Sequence, residues 1–172
     1  MQPTSQDLQI GKTFRPVVLG ADVLGYSYTR QFHETYGVDS IVLAKYDIKF
    51  TSRSKWNDYR CVDGVEREEE LLAYLKETIA PECRAEGRKP LLVASGGWYA
   101  EILSKNKSEL TAAGFAVPYN DYSLFSVITM KEKFYGLCSE LGIPYPKTWL
   151  VACGEGVDPI PGIDVISDEV ID

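Results

Sequence analysis

The residues of this chain best placed to do chemistry sit where apolar runs break into glycine. Gly20, Asp22 and Gly25 follow the run at Pro16 to Leu19, and Ser95-Gly96-Gly97-Trp98 follows the run at Pro90 to Ala94. Glycine at such a turn lets a ligand approach the backbone, whose N–H groups suit an anion, and Trp98 could wall a pocket beside them. The same glycines would serve equally well to pack a helix on a strand, with Trp98 laid on a sheet. The first turn misses both phosphate-binding signatures for physical reasons. A dinucleotide fingerprint needs its middle glycine where this chain has Asp22, a carboxylate that repels pyrophosphate, and a P-loop needs Lys then Ser or Thr where it has Tyr26 and Ser27.

A third candidate is the basic island from Lys49 to Arg60, KFTSRSKWNDYR, in which Asp58 is the single acid. Lys45 to Asp58, read as a loop over the carboxyl edge of a parallel sheet, hangs Arg53, Ser54 and Lys55 beside the Gly20 turn, where the island could meet a small anion; a solvated basic loop is the plain alternative. His33, the one histidine, reads as a surface or packing residue inside a helix. Cys61, Cys83, Cys138 and Cys153 are too scattered for a zinc site or a disulfide framework, so the thiols are expected reduced.

These residues need a scaffold, and the pattern supplies one. A buried strand at Pro16 to Leu19 precedes a helix carrying Leu24, Tyr28, Phe32 and Tyr36 four residues apart on one face, then a strand at Ser40 to Ala44. That is a βαβ unit opening a parallel sheet, whose ligands bind at the carboxyl ends of its strands. Tyr59 to Val62 reads as an edge strand. From Glu66 a helix buries Leu71, Leu72, Leu75 and Ile79, with its exit bracketed by Pro81 and Gly87. After Pro90 to Ala94 a further helix turns Tyr99, Ile102, Leu103, Asn106 and Leu110 inward, and Phe115 to Pro118 is a short strand. A turn at Tyr119 to Tyr122 leads into Ser123 to Ile128. The next helix carries a capping box of Thr129 and Glu132, a stripe of Phe134, Leu137, Cys138 and Leu141, and a left-handed stop at Gly142 before Pro144. Lys131 stands in its first turn, where the helix dipole disfavours a cation by a few tenths of a kcal/mol unless an anion is bound there.

Composition bounds the rest. A chain of 172 residues, 45% hydrophobic and 25% charged, holds one soluble α/β domain with a Rossmann-like parallel sheet. Its net charge of −7 argues against a nucleic-acid partner. No apolar run approaches a membrane span and no signal peptide is visible, so a cytoplasmic location is expected. Met1 to Phe14 reads as a flexible lead.

Met130 to Val151, MKEKFYGLCSELGIPYPKTWLV, resembles the segment with which ATP-grasp enzymes leave their N-terminal domain: a lysine, a helix, then Gly-hydrophobic-Pro-x-Pro-x-Thr. VVLGADVLGYSYTRQFHETYGVDSIVL and the SRSKW segment are similar to the opening of the ATP-grasp carboxylate–amine ligases, which include D-aspartate ligases. The resemblance implies a pre-ATP-grasp domain over 15–128, with 129–172 leading into an ATP-grasp domain absent from this sequence. It implies ATP and magnesium in the complete enzyme, a carboxylate activated as an acyl phosphate, and an amine that attacks it. Lys131 matches the lysine that reaches ATP phosphate. Gly20, Asp22, Gly96 and Gly97 match substrate-facing strand ends, with Gly25, Arg53, Ser54 and Trp98 as their neighbours. Met130 departs from the pattern, since an Asp often precedes the lysine.

Cys153 to Asp172, with six acids, no base and the Pro159-Ile160-Pro161-Gly162 break, reads as a linker, and Val165, Ile166, Val170 and Ile171 have no evident core. The expectation is therefore a substrate-side domain inactive alone, with no metal ligands or catalytic group of its own. The alternative is a stand-alone, non-enzymatic Rossmann-like module that binds a small molecule or a partner. A fragment of an NAD-dependent oxidoreductase is disfavoured by Asp22 and by the lack of an acid closing the second strand. Oligomeric state, a homodimer included, is left open.

Overall fold

The computed structural model of the chain describes residues 4–152 and 164–167. It divides into two compact units, 1–121 and 122–172. The first holds a four-stranded parallel sheet in the order β3-β2-β1-β4, formed by β1 (Phe14–Leu19), β2 (Ser40–Ala44), β3 (Asn57–Cys61) and β4 (Lys89–Ala94). The expected Rossmann-like α/β layer is present. Strands β1 and β2 are apolar over their paired length apart from Arg15 and buried Ser40, as a sheet covered on both faces demands. Pro16 lacks an N–H yet lies in a central strand. It is tolerated because pairing with β2 begins one residue later, at Val17.

Side chains alternate across the sheet. Val17, Leu19, Ile41, Leu43 and Leu92 enter the larger core, with Leu71, Leu75, Ile79, Ile102, Leu103, Leu110 and Phe115 packed among them. Val18, Val42 and Ala44 face the other side, under the helix that links β1 to β2. That helix, α2 (Val23–Tyr36), buries Gly25 and Thr29, while Leu24 is 44% exposed and Tyr28, Phe32 and Tyr36 are half-buried. The four-residue spacing of large side chains thus marks a flank. The inner line is made of small residues, which let the helix backbone lie close to the sheet.

Several elements differ from their expected form. The lead before β1 contains a short helix, α1 (Ser5–Gly11), closed by a capping box: Thr4 Oγ1 accepts from the Asp7 N–H and the Asp7 carboxylate accepts from the Thr4 N–H. The segment after β2 contains a one-turn helix, α3 (Lys49–Ser52), before β3 begins. The next helix ends at Ala85, inside the expected bracket of Pro81 and Gly87, but it is not regular. It runs as α4 (Glu68–Tyr74), a π-helical turn over Leu75–Ile79, and α5 (Ala80–Ala85), with the Ala80 N–H reaching back to Leu75 O. The wider turn accommodates a proline, which has no N–H and crowds the preceding carbonyl. Phe115 to Pro118 shrinks to a single parallel bridge between Leu91 and Ala116. Asn106, the polar residue on the inward face, divides that helix into α6 (Gly97–Lys105) and α7 (Lys107–Ala112), and its Nδ2 donates to Glu68 Oε1 and to Ile102 O.

In the second unit, α8 (Tyr122–Thr129) and α9 (Lys131–Glu140) precede a two-stranded parallel pair, β5 (Trp149–Ala152) and β6 (Asp164–Ser167). The Thr129/Glu132 capping box does not form. Thr129 ends α8 and donates its hydroxyl to Phe125 O at 2.7 Å, leaving Met130 as an N-cap without a side-chain bond. The stop is as expected: Gly142 has φ +67, and the Ile143 and Gly142 N–H groups bond Cys138 O and Ser139 O. Of the stripe, Cys138 is buried, Leu137 half-buried, and Phe134 and Leu141 exposed. Val165 and Ile166, expected to lie in a linker, belong to a strand paired with Leu150 and Val151. Val170, Ile171, Cys153 and the Pro159 to Gly162 break fall outside the described residues.

Candidate functional site

The strand order places a topological switch between β1 and β4: the chain runs outward from β1 to β2 and β3, then returns to the opposite side of β1. Crevices for ligands open at the carboxyl ends of the two strands flanking such a point. Here these ends are Gly20 to Asp22 and Ser95 to Trp98, so the two glycine turns picked from the sequence meet at one edge.

Their glycines do different work. Gly20 has φ +95, and a Cβ there would lie 2.0 Å from Ser95 Oγ. A Cβ on Gly25 would lie 2.5 Å from Gly20 O. Both are therefore needed for close packing of α2 on the strand ends. Asp22 is the N-cap of α2, its Oδ1 accepting from the Gly25 N–H at 2.8 Å. That carboxylate takes up the helix start a pyrophosphate would use, which argues against a dinucleotide on this turn. Gly96 and Gly97 are the opposite case, because nothing lies within 4 Å of a Cβ built on either. Gly96 is the N-cap of α6 and offers no side-chain cap, so no capping side chain takes up the first N–H groups of that helix.

Trp98 is 59% exposed and spans to the loop after β3, its Nε1 donating to Glu66 O at 3.1 Å. The edge carries further groups that the sequence reading missed. Lys45, directly after β2, pairs with Glu66. The Glu66 hydrogen bond raises the lysine pKa, and Lys45 in turn holds the Glu66 carboxyl below its usual range. Tyr99 is half-buried, with an edge carbon 3.3 Å from a Cβ built on Gly20, and burial raises its phenol pKa. Tyr119 OH accepts from the Ala94 N–H at 2.7 Å, and burial raises its pKa as well. A position just past a strand's carboxyl end was the available signal for Lys45; Glu66, Tyr99 and Tyr119 reach the edge from elements whose direction only the fold sets.

Arg53 and Ser54 do not sit over the Gly20 turn. It is Thr51 that reaches it, its buried hydroxyl donating to Ala21 O at 2.8 Å. From there the chain descends toward the amino end of β2, where the Ser40 N–H donates to Trp56 O. Arg53 and Ser54 line a separate groove with Tyr26 and Trp56. His33 stacks on Trp56 with ring centroids 5.2 Å apart, and its Nδ1 lies 3.1 Å from Asp39 Oδ1, a packing role. Lys131 is exposed at the start of α9 in the second unit. Among the described residues no three His, Cys, Asp or Glu side chains cluster as a metal site. Cys61, Cys83 and Cys138 are free thiols. Among the described residues no helix is long and apolar enough to cross a membrane.

Against proteins of known identity, the chain is 34% identical over 138 residues to D-aspartate ligase of Enterococcus faecium (strain Aus0004), a match covering 80% of this chain and 32% of that protein. This chain is a distant homologue of a D-aspartate ligase. It spans about a third of that relative's length. It is also 27% identical over 88 residues to the mitochondrial L-2-hydroxyglutarate dehydrogenase of Arabidopsis thaliana, covering 51% of this chain and 18% of that protein. No family model matches the chain. No solved structure matches it.

Proposed function

We propose that this chain is the substrate-side part of an ATP-dependent carboxylate–amine ligase, joining a carboxylate to an amine through an acyl phosphate. The observation that carries the reading is the likeness to a D-aspartate ligase across 80% of the chain. In this reading 15–128 is the pre-ATP-grasp domain and 129–172 leads into the ATP-grasp part.

The carboxylate substrate approaches the switch-point edge, where the uncapped start of α6 at Gly96 and Gly97 offers N–H donors and the positive end of a helix dipole. Trp98 walls that approach from the β3 loop. Gly20, Asp22 and Gly25 serve the site by holding α2 and the strand ends in place. The start of α9 fits a phosphate. Its first turn has no side-chain cap, and exposed Lys131 adds a full charge to the partial charges of the N–H groups. A bound nucleotide there turns an unfavourable helix position into a favourable one. ATP supplies the phosphoryl group that activates the carboxylate. Magnesium, in this reading, is held by the rest of the enzyme.

The test is amine-dependent release of ADP by the full-length gene product over a panel of carboxylates and amino acids. Release with one matched pair supports the reading, and no release with any pair overturns it. Lys131→Ala in that enzyme should raise the KM for ATP by about tenfold or more, the scale of one lost charge-assisted phosphate contact.

A further inference from the structure

The groove beside α2 and α3 is not part of the switch-point edge, and its lining is both basic and aromatic. It has a volume of about 740 Å³ and is lined by Tyr26, Phe50 and Trp56 together with Arg53, Ser54 and Lys55; Lys49 completes it. The chain carries 25 acids against 18 bases, yet this lining holds three bases and no acid. Lys49 is already satisfied by Asp47. Arg53 and Lys55 are exposed and enter none of the ion pairs among the described residues.

Two polar atoms of the lining are left over. Ser54 Oγ and Trp56 Nε1 are both buried and lack a hydrogen-bond partner. A buried donor without a partner is uncommon in a folded protein. The walls are aromatic: Tyr26 stands with ring centroids 6.2 Å from Phe50 and 6.3 Å from Trp56, and Phe50 is 51% exposed.

The lining is also held in place before any ligand arrives. Thr51 is anchored to Ala21 O, the Ser54 N–H donates to Thr51 O, Asn57 Nδ2 donates to Thr51 O at 2.9 Å, and the Asn57 N–H donates to Ser54 O. A rigid site loses less freedom on binding.

We infer that this groove binds a small anion carrying a flat apolar body, an aryl phosphate or aryl carboxylate, with Arg53 and Lys55 on the anionic group and Tyr26, Phe50 and Trp56 on the ring. The inference does not depend on the ligase reading, since its readout is binding by the 172-residue chain without turnover.

The experiment is a titration with phenyl phosphate, followed through the indole N–H resonances of Trp56, Trp98 and Trp149 on the ¹⁵N-labelled chain, each assigned by its Trp→Phe variant. The expected result is saturable movement of the Trp56 resonance alone, with a dissociation constant of about 1 mM or tighter. The Arg53→Ala/Lys55→Ala double variant, altered only at exposed side chains, should bind at least about tenfold more weakly, while Lys12→Ala should bind as the parent does. No movement of the Trp56 resonance, or undiminished affinity in the double variant, overturns the proposal. Inorganic phosphate should bind more weakly than phenyl phosphate; equal affinity would overturn the aromatic half of the assignment.

Discussion

Asp22 Oδ1 accepts a hydrogen bond from the Gly25 amide at 2.8 Å, and the Cα of Gly25 packs against the carbonyl of Gly20 so closely that a methyl group would sit 2.5 Å from that oxygen. Six residues, Gly20 to Gly25, thus close a loop that clamps the start of α2 onto the end of β1. The carboxylate therefore caps α2, whereas the start of α6 at Gly96 has no side-chain cap.

Removing the cap should destabilise the first unit without touching the sheet. Asp22→Ala is expected to cost about 0.5–2 kcal/mol, and Asp22→Asn a few tenths, because Asn also caps well. Urea denaturation of the three chains measures the difference.

The two glycine turns should respond oppositely to a methyl group. Gly25→Ala forces the helix off Gly20 O and is expected to cost about 1–3 kcal/mol. Gly97→Ala meets open space at the first position of α6 and should leave the unfolding midpoint unchanged or slightly raised. A comparable loss for both variants would show that the second turn is also a packing device.

Thr51 is fully buried and donates to Ala21 O. Thr51→Val keeps the shape and deletes the donor, leaving a carbonyl without its partner. The expected loss is about 1–3 kcal/mol by thermal or urea unfolding.

The Lys45–Glu66 pair should appear as an acid limb. Lys45 depresses the Glu66 pKa in the folded chain, so the stabilisation is present above the unfolded value, about 4.3, and is lost as the pH falls through the lower folded value. The gap in urea midpoint between the parent and Glu66→Gln should therefore narrow between about pH 5 and pH 3. A gap constant over that range would mean the pair does not form in solution.

Thiol labelling reads the core directly. Burial pushes the Cys83 thiol up to about 11, whereas Cys61 is exposed. Alkylation at neutral pH followed by peptide mass spectrometry should label Cys61 well before Cys83, and the Cys83 rate should rise only as the chain unfolds.

Much of the fold was legible because strand and helix periodicity is local. Val17 to Leu19, Ile41 to Ala44, and Leu71, Leu75 and Ile79 announce buried faces within a few residues of themselves, and Gly142 before Pro144 writes a helix end that needs no distant partner. The misreadings fall where two neighbouring elements compete for one residue. Thr129 could cap α9 or end α8, and its hydroxyl went to the carbonyl one turn back. The exit bracketed by Pro81 and Gly87 did fall inside its bounds, at Ala85, with a π turn before the proline letting the chain continue.

What the amino-acid order determined by itself was the parallel α/β layer, the two glycine turns at strand ends, and the likeness to a ligase. Only the tertiary structure decided which glycines are filled and which are open, that Asp22 serves α2, and that Arg53 and Ser54 face Tyr26 and Trp56 rather than the Gly20 turn. The reason is physical: a hydrophobic period is set by backbone geometry over a few residues, whereas the space beside a glycine or the partner of a hydroxyl depends on chains that meet from far along the sequence.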